Sequence, residues 1–225
     1  MQLWIGNKNY SSWSLRPWLL MTHTGIAFEE VKLRLSFTAG SEFKRRIEAV
    51  SPAGRVPVLV DGDLSVWDTL AIAEYLAETY PDKQLWPLDK RARTNARSVC
   101  AEMHSGFAAL RSGCPMNIEA SLPEVGARLL RDDAGLAADL ARINAMWSQA
   151  LATSGGPFLF GTFSVADAYF APVCARIRTY ALPVPPEVAA YVERIFALPA
   201  MQRWVEAALA EHDWLDEDEP YRSRA

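Results

Sequence analysis

The chain has 225 residues, half of them apolar and 22% charged, with a formal net charge of −4. That length exceeds the usual single domain of about 100–150 residues, so one large or two small domains are expected. The acidic balance and the absence of a basic stripe argue against a nucleic-acid partner, and no apolar run approaches the roughly 20 residues of a membrane span.

The first residues, MQLWIGNKNY, lack the charged-then-apolar layout of a signal peptide, and a cytoplasmic protein is expected. Cys100, Cys114 and Cys174 are odd in number and far apart, and there are three histidines. Neither a disulfide framework nor a metal site is expected from them, and the thiols are read as buried or half-buried.

In chain order, LWI (3–5) reads as a strand and Ser14 to Thr24 as a helix ended by Gly25. FEEVKLRL (28–35) alternates with period two, which predicts a strand, and GSEFKRRIEAV (40–50) reads as a helix. VPVLVDGDLSVWD (56–68) is a hairpin turning at Asp61, Gly62 and Asp63, followed by the amphipathic helix TLAIAEYLAETY (69–80). The order to this point is βαβαββα. PDKQLWPLDK (81–90) has linker composition, and from there the helical period dominates, over roughly 90–112, 125–153, 165–180, 187–197 and 199–211. The expected organisation is an α/β unit over residues 1–80, a linker over 81–89 and an all-α unit over 90–225. The acidic tail EHDWLDEDEPYRSRA is expected to be irregular and solvated, with Trp214 and Tyr221 as its possible docking points.

Four stretches carry chemistry. NKNYSSWSLRPWLLM (7–21) puts Ser11, Ser12 and Ser14 where a helix begins, either to cap it or to aim a hydroxyl at an anion. In SPAGRVPVLV (51–60), Pro57 opens a strand, a position proline tolerates; a cis Val56–Pro57 bond there turns the Val56 backbone outward to pair with an extended peptide. In VWDTLAIAEYL (66–76), Asp68 and Thr69 are good helix caps. The same helix N-terminus is a seat for a ligand carboxylate, with Thr69 as an added donor and Asp68 as an acceptor for an amino group. In FSVADAYFAPV (163–173), Ser164 and Asp167 form a reciprocal capping box, a folding device.

With those pieces in that order, nearly the whole chain resembles a cytosolic glutathione S-transferase. The carriers are SSWSLRPWLL after strand one, GRVPVL, WDTLAIAEYL and SVADA. Ser11-Ser12-Trp13 looks like the Ser-Ser-Cys motif of the zeta class, with Trp13 in place of the cysteine; zeta-type isomerisation of maleylacetoacetate is thereby in question. No cysteine lies in residues 1–99, which argues against thiol chemistry by the protein itself.

The resemblance implies a thioredoxin-like N-terminal domain, an all-helical C-terminal domain, glutathione as co-substrate, a small hydrophobic electrophile and a homodimer. It implies Ser11 as the hydroxyl that donates to the glutathione thiolate, with Ser12 in reserve, Ser14 as a cap and Arg16 as a structural residue. Val56 would pair with the cysteinyl backbone beside Pro57, Asp68 and Thr69 would hold the γ-glutamyl end, and Arg55 or Lys44 would meet the glycyl carboxylate. Trp13, Met103, His104 and Phe107 would line the electrophile pocket, although a stripe of this kind also suits a core. A glutathione-dependent isomerase or dehalogenase, or a non-catalytic binding protein of the same fold, would share these features.

Overall fold

Leu3 and Ile5 alternate with Trp4, and that period of two is what the strand they form requires. In the computed structural model, which describes residues 1–224, β1 (Gln2–Ile5) lies inside a four-stranded sheet. It pairs in parallel with β2 (Glu29–Lys32) and antiparallel with β3 (Val58–Asp61), and β4 (Leu64–Val66) pairs with β3, giving the order β2-β1-β3-β4. Leu3 sits opposite Glu30 on one side and Leu59 on the other. The strand expected over 28–35 is shorter, ending at Lys32, although Leu33 and Leu35 continue the buried alternation. Charged residues along β2 suit its place at the sheet edge.

Helices α1 (Ser12–Thr24) and α3 (Thr69–Thr79) cover one sheet face. There Leu3, Ile5, Leu59, Leu19 and Leu76 join one large core. Helix α2 (Glu42–Glu48) covers the other face, where Phe43 and Ile47 pack on Val58, Leu33, Tyr10 and Leu215. Gly25 ends α1 in the left-handed region at φ 70°, and Gly62 makes the β3–β4 turn at φ 61°. The Val56–Pro57 peptide is cis, as the sequence leads one to expect, and so is Trp67–Asp68.

The rest of the described chain is helical: α4 (Lys90–Ser105), α5 (Ala108–Gly113), α6 (Pro123–Asp132), α7 (Ala134–Ser154), α8 (Val165–Tyr180), α9 (Pro186–Ala197) and α10 (Pro199–Leu209). Together with the sheet this is the expected architecture, an α/β N-terminal domain followed by a helical one. Two expected helices are each two. The 90–112 run breaks at Gly106 and Phe107, where Phe107 takes φ 54° with its ring buried in the core. The 125–153 run breaks at Asp133, whose side chain accepts from the Gly135 and Leu136 amides and so starts a new helix. The central helix α8 is buried along nearly its whole length and packs against both α1 and α4. Its Ser164–Asp167 capping box is formed: Asp167 accepts from the Ser164 amide at 2.9 Å and also from Leu159 N and Tyr191 Oη.

The tail is irregular but docked, contrary to the solvated tail expected; Ala225, its last residue, lies outside the described residues. Carboxylates do most of the docking. Glu219, 6% exposed, accepts from Tyr10 Oη and Asn117 Nδ2, each at 2.8 Å. Asp213 accepts from Asn7 Nδ2 and Arg34 Nε. Tyr221 adds a bond to Gly113 O at 2.7 Å; the Trp214 indole donates within the tail, to Asp216, while the Trp214 carbonyl accepts from Arg34. No helix among the described residues is long and apolar enough to cross a membrane.

Candidate active site

Helix α1 begins directly after β1 and the 7–11 turn, so its N-terminus opens at the end of the sheet. Ser11 is its N-cap residue but makes no side-chain cap bond. Its Oγ instead lies 2.7 Å from Ser14 Oγ, which also accepts from Gly6 N at 3.1 Å. Ser14 is therefore not the cap expected of it; it ties the end of β1 to the start of α1. The donor of that bond is Ser11, so its proton reaches an acceptor outside the pair only by turning away from Ser14. Ser12 occupies the first helical position with no side-chain partner among the described residues, beside the amides that every helix N-terminus leaves open.

A cavity of about 610 Å3 opens there, and Ser11, Ser12 and Trp13 line it together with Lys44, Arg55 and Val56 from the opposite side. Lys44 Nζ donates to Gly54 O at 3.1 Å within that wall. The helical half adds Arg111 from α5, Arg176 from α8, Met116 and the tail residue Asp218. Pro57, buried beneath Val56, sets the wall without lining it.

Positive charge gathers on the helical side. Arg176 is 4% exposed; Nε donates to Cys114 O at 2.8 Å and Nη1 to Pro172 O at 3.2 Å, and burial pulls its pKa down to about 10. Arg111 donates to the carbonyls of His104 and Gly106 at the end of α4. Arg16 is 2% exposed, with its guanidinium 4.0 Å from the Trp13 ring and 4.7 Å from the Tyr169 ring. Its Nε donates to Tyr169 O, its buried Nη1 has no partner, and burial pulls its pKa down to about 9. Arg16 is depressed further by Arg176 and Arg111, so the three guanidiniums share one field. None of them forms an ion pair among the described residues. The one carboxylate on the cavity wall, Asp218, is pushed up to about 6 by burial and by Glu217 and Glu219.

Asp68 and Thr69 stand at the start of α3, behind Trp13 rather than on the cavity wall. Asp68 caps the helix by accepting from Leu70 N at 3.1 Å. Thr69 is 3% exposed and its hydroxyl lies 2.6 Å from Tyr169 Oη, so the donor expected of it is spent inside the protein. His104, half-buried, lies between Tyr169 Oη at 2.9 Å and Asp68 Oδ2 at 3.5 Å, with the Trp13 ring 5.3 Å away. Met103 and Phe107 do not line the cavity; they are 0% and 6% exposed and belong to the core, Met103 on the buried α4 face it shares with Ala96 and Cys100, and Phe107 at the chain reversal after α4. The three cysteines are buried, with thiols raised by desolvation, and none lines the cavity. No group of side chains among the described residues is arranged to hold a metal ion.

Sequence reasoning misses Arg111, Arg176 and Asp218. A signal exists for the arginines: each follows an apolar stretch of a helical run, FAALRSG and APVCARIRTY.

Family models for the glutathione S-transferase N-terminal and C-terminal domains match residues 10–79 and 100–194, and the chain belongs to the glutathione S-transferase family. A probable maleylacetoacetate isomerase from Caenorhabditis elegans is 32% identical over 105 residues, 47% of each chain. Maleylacetoacetate isomerase from Rattus norvegicus is 30% identical over 105 residues, 47% of this chain and 48% of that one. The chain thus spans about half the length of the curated relatives it matches. A glutathione transferase homologue from Burkholderia, solved with bound glutathione, shares the fold with a TM-score of 0.69 at 24% identity, over 93% of this chain and 98% of that one.

Proposed function

We propose that this protein is a glutathione-dependent enzyme that uses a serine hydroxyl to hold the glutathione thiolate and directs it at a small electrophile carrying a carboxylate. The observation that carries the reading is the meeting, in one cavity, of the Ser11 and Ser12 hydroxyls at a helix N-terminus with arginines that no carboxylate pairs. Glutathione is a tripeptide thiol with two carboxylates. Its cysteinyl backbone suits the Val56 amide and carbonyl beside the cis-proline, and its glycyl carboxylate suits Arg55 and Lys44. Its γ-glutamyl end would have to reach past the cavity wall to Asp68 at the α3 N-terminus, where Thr69 is already bonded to Tyr169.

The thiolate is the nucleophile. Lowering a thiol pKa by about two units takes roughly 2.7 kcal/mol in favour of the anion. A hydrogen bond to a charged group gives about 1.5–3 kcal/mol, and a helix N-terminus adds about 0.3–1. One serine hydroxyl at this helix N-terminus is sufficient without a general base, and Ser11 supplies it by turning its proton from Ser14 to the thiolate. The buried Arg16 guanidinium adds positive potential from below Trp13.

Arg111 and Arg176 turn the expectation of a plainly apolar electrophile toward an acidic one. Phe37, Phe43 and Met116 leave room for its hydrocarbon part. The names of the curated relatives support one specific case, isomerisation of an unsaturated acid. There the thiolate adds to a double bond, the resulting single bond rotates, and elimination returns the thiolate and the isomerised alkene. The family expectation of a homodimer is carried with this reading and is checked by light scattering.

The test is the thiolate absorbance of bound glutathione against pH, in wild type and in Ser11→Ala. A bound pKa well below that of free glutathione, returning toward it in Ser11→Ala, is the expected result. The same return in Ser12→Ala alone moves the role by one residue. Binding without any shift removes the transferase reading. Glutathione consumption against an acidic acceptor then separates conjugation, which consumes it, from isomerisation, which does not.

A further inference from the structure

Two cations share the ring of Trp13. The guanidinium of Arg16, buried and one turn further along α1, lies 4.0 Å from the ring centroid. Arg111 reaches the same ring from α5, in the helical half, at 5.0 Å. Like charges gathered on one ring repel, and Arg111 is among the groups that lower Arg16. No carboxylate pairs with either cation among the described residues. The indole supplies the compensation, because its electron-rich face attracts guanidinium, most of all where water is excluded.

Little else holds Arg111. Its Nη1 donates to His104 O at 3.4 Å and to Gly106 O at 3.3 Å, both long for hydrogen bonds. Those two bonds use the Nη1 protons, and the Nε–Nη2 edge has no partner among the described residues. That edge is a fork that takes both oxygens of one carboxylate, and Arg111 lines the cavity beside Ser12, Trp13 and Arg176. On Arg176 the Nε is already spent on Cys114 O, so the side-on fork belongs to Arg111 alone of the two.

We propose that Trp13 is a positioning residue that sets the preference for acidic electrophiles, by holding Arg111 with its free edge toward the cavity against the repulsion of Arg16. The proposal rests on the glutathione reading above and gives a reason for an indole at position 13. The His104 ring meets the Trp13 ring edge-on at 5.3 Å and steadies it from the helical side. An aliphatic side chain at this position would fill space but attract neither cation. Arg111, tied by two long bonds to carbonyls, would then move away from Arg16 and carry its fork out of the cavity.

Ethacrynic acid and its methyl ester are the same unsaturated ketone with and without a remote carboxylate. The ratio of their KM values, ester over acid, in glutathione-dependent turnover therefore reads the charge contact. Trp13→Leu is expected to lower that ratio about three- to tenfold, acting on KM for the acid more than on kcat. Trp13→Phe, which keeps a π face, is expected to lower it less than about twofold. In an Arg111→Met background, Trp13→Leu is expected to change the ratio by less than about twofold, because the group it positions is already gone. Equal changes in the two KM values, a Trp13→Phe ratio as low as that of Trp13→Leu, or a full Trp13→Leu effect without Arg111 overturns the proposal while glutathione turnover stands. No glutathione-dependent turnover of either acceptor by wild type overturns the glutathione reading, and the proposal with it.

Discussion

Arg111 and Arg176 reach the same cavity from α5 and α8, and their guanidiniums bond only to carbonyl oxygens. A hydrogen bond between charged partners contributes about 1.5–3 kcal/mol, so Arg176→Met is expected to raise KM for a carboxylate-bearing acceptor about tenfold or more. An uncharged acceptor should change little, and parallel steady-state kinetics on the two acceptors check this. Asp218 opposes the same arginines across the cavity. Its carboxyl is raised to about 6, so its negative charge disappears as pH falls through that value, and acidic acceptors should then bind better. Asp218→Asn is expected to lower KM for the acidic acceptor about two- to fivefold at pH 7 and to remove that part of the pH dependence, as KM measured from pH 5 to 7.5 will show. The site serines were legible in the sequence because a hydroxyl before an apolar helix has few local uses. The arginines were not, because a cation in a helical run becomes meaningful only when it is known which face it occupies and what it meets there.

Among the elements, α8 carries the largest structural burden, and its start depends on one carboxylate. Asp167 is fully buried and each of its oxygens accepts two hydrogen bonds. An amide in that place turns donors toward donors. Asp167→Asn is therefore expected to cost about 1–3 kcal/mol for the groups left unsatisfied, plus about 0.5–2 for the lost cap, read by denaturant unfolding. Burial raises the Asp167 pKa to about 6 against an ordinary value near 3.8. The folded state therefore binds this proton more tightly than the unfolded chain, so its contribution to stability is full below pH 4 and is lost as pH rises through 6. Where α6 crosses the end of α8, a Cβ on Gly126 would stand 1.9 Å from Tyr180 O, a backbone atom that cannot swing aside. Gly126→Ala is expected to force the helices apart and cost about 1–3 kcal/mol, visible as a lowered Tm. The capping box was readable from Ser164 and Asp167 alone; this crossing was not, because Gly126 sits in an ordinary helical run.

Across the whole molecule, the tail holds the turn that presents the serines. Glu211 accepts from the amides of Lys8 and Asn9, at 2.9 and 3.3 Å, and Asp213 accepts from Asn7. Glu219 accepts from Tyr10, and Leu215 completes the small core beneath α2. From inside, Trp204 Nε1 of α10 donates to Lys8 O at 3.0 Å. A chain ending at residue 210 loses every tail contact and keeps α10. It is expected to retain its helical circular dichroism while kcat/KM for glutathione falls about tenfold or more, because the turn before Ser11 loses buried acceptors that each contribute about 1 kcal/mol. Unchanged kinetics in that chain would assign the tail to stability alone.

The sequence by itself determined what depends on residues near one another in the chain. It marked the strand and helix periods, the Gly25 and Gly62 turns, the cis Val56–Pro57 bond, the α8 capping box and the hydroxyls at the start of α1. Tertiary structure decided which side of a helix met a cavity and which met the core. It broke two helices at Phe107 and Asp133, sent Met103 inward, brought Arg111 and Arg176 to the cavity, joined His104 to Asp68, and folded an acidic tail onto the turn before Ser11. Local geometry follows from short-range sterics and hydrogen bonding, which a sequence displays directly. The shape and charge of a cavity follow from packing between segments up to two hundred residues apart, such as Lys8 and Glu211 at a separation of 203, and come into being only when those segments meet.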